Sequence, residues 1–413
     1  MKAQKTIAAA VMAVVLAAGM TGCASGNVNN SGNDETNVLI QDIQTQLQET
    51  QAQLDELKKQ LGQVQDKIEE TDYVQKCYNK IKYIDENISD RDCIAGEQFT
   101  EAQNWIKSTL TDAGYSNIST QEVSFTRYLN ITTYDNAVSE CTTDGKYYKR
   151  ENRNYAEVEK SEATHVLATV KSDNIIVKKE GKSDKQIIVG AHYDGDGTGD
   201  NGSGISLALT MAEKLADADV PNTVVFVFFT AEEYGCFGST AYANAMTDDE
   251  VANTLYMVNM DSLICGDYCY LYGGVQDDEN QTVTMTAAYE NAMSVATSLG
   301  LEFKSNPWTY ANPAPGYDTP DYASPSTGDW SDHVGFKNRG IMYVYFEATN
   351  WEIPGPYDEY DGYGETYLVG MLMNTENDYL EYIETYFPGR PQKHLYNFFT
   401  LLNALLIQPN VNF

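Results

Sequence analysis

Three runs of strand-forming residues, Gln186–Ala191, Thr223–Thr230 and Thr254–Met260, are rich enough in Val, Ile, Phe and Met to be buried strands. Helical patterns at about 203–216 and 279–299 separate or follow them. A further strand, Ile341–Phe346, precedes two helices near 365–386 and 393–407. Strands alternating with helices predict an α/β fold: a three-layer sandwich around a mixed, largely parallel central sheet. Residues 98–113 form an amphipathic helix, with Trp105, Ile106 and Leu110 on one face and Gly114 as its stop. Residues 120–180 read as short polar strands and turns.

A different pattern precedes this body. Ile40, Leu47, Leu54, Leu61 and Ile68 repeat every seven residues, and Ile43, Leu57 and Val64 sit three further on. Gln, Glu, Asp and Lys lie between them, as in the seam of a coiled coil. A single amphipathic helix folded back on the body is the alternative. Residues 24–36, mostly Asn, Gly and Ser, read as a flexible spacer. At the N-terminus, Lys2 and Lys5 precede an apolar run, Ile7–Ala18, too short for a permanent membrane span. It ends at Met20-Thr21-Gly22-Cys23, which resembles the lipobox of bacterial lipoproteins. The expected order is therefore a signal peptide at 1–22, a spacer at 23–36 starting with lipidated Cys23, a coiled-coil stalk at 37–72, and one globular domain at 73–413. Such a chain is exported and held by its lipid at the cell membrane, facing the extracellular or periplasmic side, and the stalk offers a route to homo-oligomers.

The chain carries 60 Asp and Glu against 27 Lys and Arg, a formal net charge of −33, or −35 once residues 1–22 take two lysines with them. That balance argues against nucleic acid as a partner, because phosphate binding needs clustered cations. A 42% hydrophobic content with 11% aromatics is too rich for a disordered acidic polymer. Six cysteines remain after removal of the signal: Cys77, Cys93, Cys141, Cys236, Cys265 and Cys269. Their spacing does not suit a structural thiolate zinc site, and Cys265 and Cys269 are close enough for a local disulfide.

In open α/β sheets, sites form past the carboxyl ends of the strands. Here those ends carry chemistry. The first strand leads into His192-Tyr193-Asp194, and soon after comes Asp200-Asn201-Gly202-Ser203-Gly204. The second leads into Glu232-Glu233, the third into Asp261, and Ser331-Asp332-His333 lies just before the fourth. Two histidines and several carboxylates at strand ends make a hard or borderline metal site. His165 and His394 lack such surroundings and read as ordinary buried residues.

The order His-x-Asp, Asp-Asn-x-x-Gly, Glu-Glu, Asp, Ser-Asp-His resembles the M28 family of zinc aminopeptidases, over roughly residues 95–405. The resemblance implies a zinc exopeptidase-like fold and two Zn²⁺. His192 and Asp261 would hold one ion, Glu233 and His333 the other, and Asp200 would bridge them. Glu232 would be the general base, and Asp194 would hydrogen-bond the outer nitrogen of His192. Peptide or protein N-termini are the implied substrates. Two departures stand out: the loop from His192 to Asp200 is short and Gly-rich, predicting an abbreviated rim, and Asp332 occupies the place of a tyrosine that stabilises the oxyanion in some relatives. Tyr317 and Tyr322 are substitutes by proximity in sequence.

The segment Pro307–Trp330 holds five of the 11 prolines, with Trp308, Tyr310, Tyr317, Tyr322 and Trp330, and is a candidate wall for a substrate pocket. Residues 340–389 contain ten Asp or Glu and no Lys or Arg, which reads first as a solvated acidic face and second as a cleft for an ammonium group. The competing functions are a carboxypeptidase or glutaminyl cyclase of the same fold, and an inactive peptide-binding lipoprotein. An intact Asp-Asn-Gly-Ser-Gly and the presence of Glu232 speak against the last two.

Overall fold

The computed structural model describes residues 32–140, 142–152, 154–353 and 364–407; the expected signal peptide, Cys23 and most of the expected spacer lie outside them. The chain divides into two units, Met1–Lys67 and Ile68–Phe413. Residues 32–36, expected as spacer, already belong to a helix of 56 residues, Gly32–Asn87. Within the first unit the heptad residues Ile40, Ile43, Leu47, Leu57, Leu61 and Val64 are exposed. Within the second unit the same helix becomes part of the core. Val74, Cys77, Ile81 and Ile84, with Ile88 just past the helix end, recur at three- and four-residue steps and are buried. No described helix is long and apolar enough to cross a membrane.

The second unit is built on one large mixed sheet. In chain order its strands are β1 (Ser119–Asn130), β2 (Thr142–Glu151), β3 (Asn154–Val158), β4 (His165–Lys179), β5 (Ser183–His192), β6 (Asn222–Phe229), β7 (Thr254–Met260) and β8 (Tyr268–Tyr272). A small hairpin of β9 (Val275–Asp277) and β10 (Thr282–Thr284) stands apart, and β11 (Tyr343–Thr349) rejoins the large sheet. The spatial order is β3-β2-β4-β6-β5-β7-β11-β8, with β1 on β4. The central strands β6, β5, β7 and β11 are parallel, and the flanking pairs are antiparallel.

Alternation along the central strands feeds two cores. Ile187 and Val189 of β5 and Val224, Phe226 and Phe228 of β6 face one layer, with Leu207 of helix Gly202–Leu215 and Leu401 of helix Arg390–Ile407. Their neighbours Ile188, Val225, Val227 and Phe229 face the other layer, with Ala243 and Phe336. Both faces of these strands are therefore covered, as the uninterrupted apolar runs require.

Three elements depart from the sequence reading. The expected short strands of 120–180 include β1 and β4, 12 and 15 residues long, paired from Ser119↔Ile176 to Asn130↔His165. Burying only one face, through Val123, Phe125, Leu129, Val166, Ala168 and Val170, leaves the other polar and makes the segment look weaker than it is. The helix expected at 279–299 is confined to Ala287–Ser298. Of the helix expected at 365–386 only Leu380–Tyr386 forms. Upstream, the Glu365 carboxylate accepts the N–H groups of Leu372 (2.5 Å) and Met373 (3.1 Å), and Gly370 and Asn374 take positive φ, so the chain turns instead of winding.

Candidate active site

Because β5, β6 and β7 are adjacent and parallel, their carboxyl ends lie side by side, and the residues that follow them converge. His192 ends β5. Its Nε2 lies 3.2 Å from Asp200 Oδ1, 3.3 Å from Asp261 Oδ1 and 3.9 Å from Glu232 Oε2. Asn201 holds the loop that carries Asp200: its Oδ1 accepts the Gly204 N–H at the start of helix Gly202–Leu215, and its Nδ2 donates to the Met260 carbonyl at the end of β7 (2.8 Å). The glycines of the loop serve close approach as well as brevity. A Cβ on Gly195, at φ +103°, would sit 2.6 Å from Glu233 Oε1.

Buried groups outside the cluster fix its geometry. Ser331 Oγ donates to Asp261 Oδ2 at 2.7 Å, so the Ser-Asp-His segment does reach the site, through its serine. The Asp378 carboxylate accepts the N–H groups of Gly199 and Asp200. Arg91 is fully buried, and its guanidinium donates to the carbonyls of Tyr193 (3.1 Å), Gly197 (2.7 Å), Ile88 and Ser89. Neither Arg91 nor Asp378 stands out in the sequence. Arg91 stands alone among polar residues, and Asp378 is one of ten acids in a run that reads as surface.

Three sequence expectations are corrected here. Asp194 was expected to bond the outer nitrogen of His192, but its carboxylate is 3.8 Å from Nδ1, and the nearer group is its own backbone carbonyl at 3.2 Å. The carboxylate instead accepts the N–H groups of Glu232 (3.1 Å) and Glu233 (3.4 Å), holding the turn after β6. His333 is not brought into the cluster. It is buried with its ring packed on Tyr343 (4.6 Å) and Tyr345 (5.1 Å) of β11, and desolvation lowers its imidazole to about 3. Cys265 and Cys269 are both free thiols. Cys265 faces Asp378 at 3.8 Å, whereas Cys269, in β8, faces Asn397 at 3.9 Å, so their sulfurs serve different neighbours.

The second histidine being elsewhere, another side chain meets Asp200. Asn374 Nδ2 lies 3.3 Å from Asp200 Oδ2, the oxygen that does not face His192. Among the described residues, the groups close enough to share an ion are His192 with Asp200 and Asp261, and His192 with Glu232 and Glu233.

The electrostatics fit a cation. Burial raises Glu232 and Asp200, and Asp261 raises both further by charge repulsion. Desolvation and Asp200 raise Glu233. Burial opposes the ionisation of Asp261 too, yet His192 and the Ser331 hydroxyl hold it low. Desolvation disfavours charge on His192, but Asp261, Glu232 and Asp200 outweigh it and hold the imidazole well above its usual range. Four mutually repelling carboxylates around one imidazole are a donor set that a divalent metal ion satisfies.

The cluster opens into a cavity of about 730 Å³. Trp308, Tyr317, Tyr322 and Trp330 of the Pro-rich segment line it, joined by Tyr345, Glu347, Trp351 and Asn374. Glu347 is buried and accepts hydrogen bonds from Tyr272 (2.8 Å) and Tyr345 (2.9 Å).

Comparison with known proteins agrees with this architecture. The model of Peptidase family M28 matches residues 174–367. The chain is 29% identical over 245 residues to the alkaline phosphatase isozyme conversion protein of Escherichia coli (strain K12), covering 54% of this chain and 67% of that protein. It is 38% identical over 95 residues to leucine aminopeptidase 2 of Trichophyton rubrum, or 22% of this chain and 19% of that protein, so it spans about a fifth of the latter's length. The fold resembles that of a zinc aminopeptidase from Bacillus subtilis, with a TM-score of 0.53 at 16% identity, over 82% of this chain and 96% of that one. The segment that carries His192, Asp200, Glu232, Glu233 and Asp261 is thus similar to peptidase family M28.

Proposed function

We propose that this protein is an exported, lipid-anchored aminopeptidase that removes N-terminal residues from peptides with the help of two zinc ions, with Glu232 as the general base. The observation that carries the choice among exopeptidases is the cavity lining. It includes Asp321 and Glu347 beyond the central cluster, with Asp329 paired to Lys337, and no lysine or arginine among its described residues. Such a lining attracts the ammonium of a peptide N-terminus and repels the carboxylate that a carboxypeptidase must bind.

His192 with Asp261 would hold one zinc, Glu233 would contribute to the other, and Asp200 would bridge them. Zinc there would polarise the scissile carbonyl and bring a water's pKa toward ~7. Glu232, buried and accepting from the Cys236 thiol at 3.4 Å, is the carboxylate that takes a proton from water and returns it to the departing amine. The aromatic walls Trp308, Trp330 and Trp351 would receive the N-terminal side chain. Anchoring at Cys23 and self-association through the heptad stripe rest on the lipobox-like sequence and on the exposed Ile40, Leu47 and Leu61.

The test uses aminoacyl p-nitroanilides and the same peptides with acetylated N-termini. Cleavage of the free but not the acetylated substrates, together with a loss of about 10²–10⁴-fold in kcat for Glu232→Gln at unchanged zinc content, supports the reading. Near-normal kcat in Glu232→Gln, or cleavage from the carboxyl end, refutes it.

A further inference from the structure

The two oxygens of Asp200 face different surroundings. Oδ1 looks toward His192 Nε2 at 3.2 Å, and Oδ2 looks toward Asn374 at 3.3 Å. On the Oδ1 side an ion meets an imidazole nitrogen. On the Oδ2 side the neighbour is Asn374, which lines the same cavity as Asp200 and Glu233, and His333, which would have supplied nitrogen, is packed against Tyr343 and Tyr345 instead.

We infer that Asn374 is a ligand of a second, all-oxygen cation site, formed with Asp200 Oδ2 and Glu233. The two ions of this centre are therefore chemically unlike: one holds an imidazole, the other only oxygens. This rests on the metallopeptidase reading above and deepens it.

The position of Asn374 is built rather than incidental. Upstream, Leu372 and Met373 are tied to the Glu365 carboxylate. Downstream, Asp378 is tied to the N–H groups of Gly199 and Asp200, so the segment that presents Asn374 is pinned to the loop that presents Asp200. Asn374 itself sits at φ +58°, a left-handed conformation that Asn tolerates better than most residues. A half-turn of its amide offers Oδ1, a neutral oxygen, where Nδ2 now meets the carboxylate. Carboxylate and amide oxygens suit hard ions such as Mn²⁺, whereas imidazole suits zinc. The second ion is thus held less tightly as zinc than the first and exchanges readily for manganese.

The experiment loads the full chain, stripped with chelator, and measures bound metal by elemental analysis and Mn²⁺ by electron paramagnetic resonance. The expected result is one zinc per chain surviving dialysis, and one further Mn²⁺ taken up by the one-zinc protein. Asn374→Ala should weaken that Mn²⁺ by roughly 10- to 100-fold while the first zinc stays. Asn374→His should raise the dialysis-resistant zinc from one to two, since histidine also accepts the left-handed backbone. Two equally tight zinc ions in the native chain, an unchanged Mn²⁺ affinity in Asn374→Ala, or one zinc with no second ion at all would each overturn the inference and leave the peptidase reading standing. A chain that binds no zinc would overturn both.

Discussion

Asp378 accepts the backbone N–H groups of Gly199 at 2.7 Å and Asp200 at 2.9 Å, so a carboxylate 178 residues away in sequence sets where the side chain of Asp200 points. Burial, with Asp200 nearby, raises this carboxyl to about 7, while the two N–H groups and Arg91 oppose that rise. Asp378→Ala should leave two buried donors without their partner and release the loop. A loss of about 10–100-fold in zinc affinity is expected, with the far-ultraviolet circular dichroism unchanged. Metal titration of the variant checks it, and an unaltered affinity would show that the loop holds without Asp378.

Arg91 acts on the same loop from the other side. Its four hydrogen bonds end on backbone carbonyls, two of them, from Tyr193 and Gly197, within the loop itself. Arg91→Met fills much of the volume but donates nothing. The expected cost is about 3 kcal/mol of unfolding free energy, read from urea titration, because several buried acceptors lose their donor together.

His394 gives the protein an acid sensitivity separate from the cluster's own titration. It is buried in helix Arg390–Ile407, and desolvation, helped by Arg390 and Lys393, lowers its imidazole to about 3. Above pH ~6.5 neither the folded nor the unfolded state binds this proton, and stability is at its full value. Between that pH and about 3 the unfolded chain takes the proton and the folded chain refuses it, so stability falls as pH falls. The slope attributable to His394 is about 1.4 kcal/mol per pH unit at its steepest. Urea midpoints from pH 7 to pH 4 should decline less steeply for His394→Gln than for the native chain, and parallel slopes would contradict the assignment.

Cys265 and Cys269 should both be modified when the oxidised protein is unfolded in alkylating agent without reductant. Peptide mapping reads this directly. Reductant should leave the thermal midpoint unchanged at this pair, since no cross-link constrains the unfolded chain there. Recovery of the two residues as one disulfide-linked peptide would reverse the conclusion.

The sequence marks the residues that converge on His192 because each lies at, or in the loop just past, the end of a strand whose composition is unmistakable. Asp200, Glu232, Glu233 and Asp261 need only the rule that parallel strands end together. His333 misleads for a physical reason. Ser-Asp-His places three polar residues in succession, and nothing in their types says that the serine would reach Asp261 while the histidine turns to Tyr343 and Tyr345. Asn374 and Asp378 are hidden more deeply. Their segment is acidic and lacks an apolar period, so it reads as solvated surface, yet Asp378 is buried by the very loop it organises. Long-range pinning of that kind leaves no local trace in composition.

The helix Gly32–Asn87 has one more consequence. Residues 40–69 of it are largely exposed, whereas the first buried core side chain it contributes is Val74. A protease nicking the exposed stretch would remove none of Val74, Cys77, Ile81 and Ile84, whose burial stabilises the fold by roughly 1.5–3 kcal/mol for each aliphatic residue. Such a cut would leave the second unit with its interior complete, while a cut ten residues later would open the core.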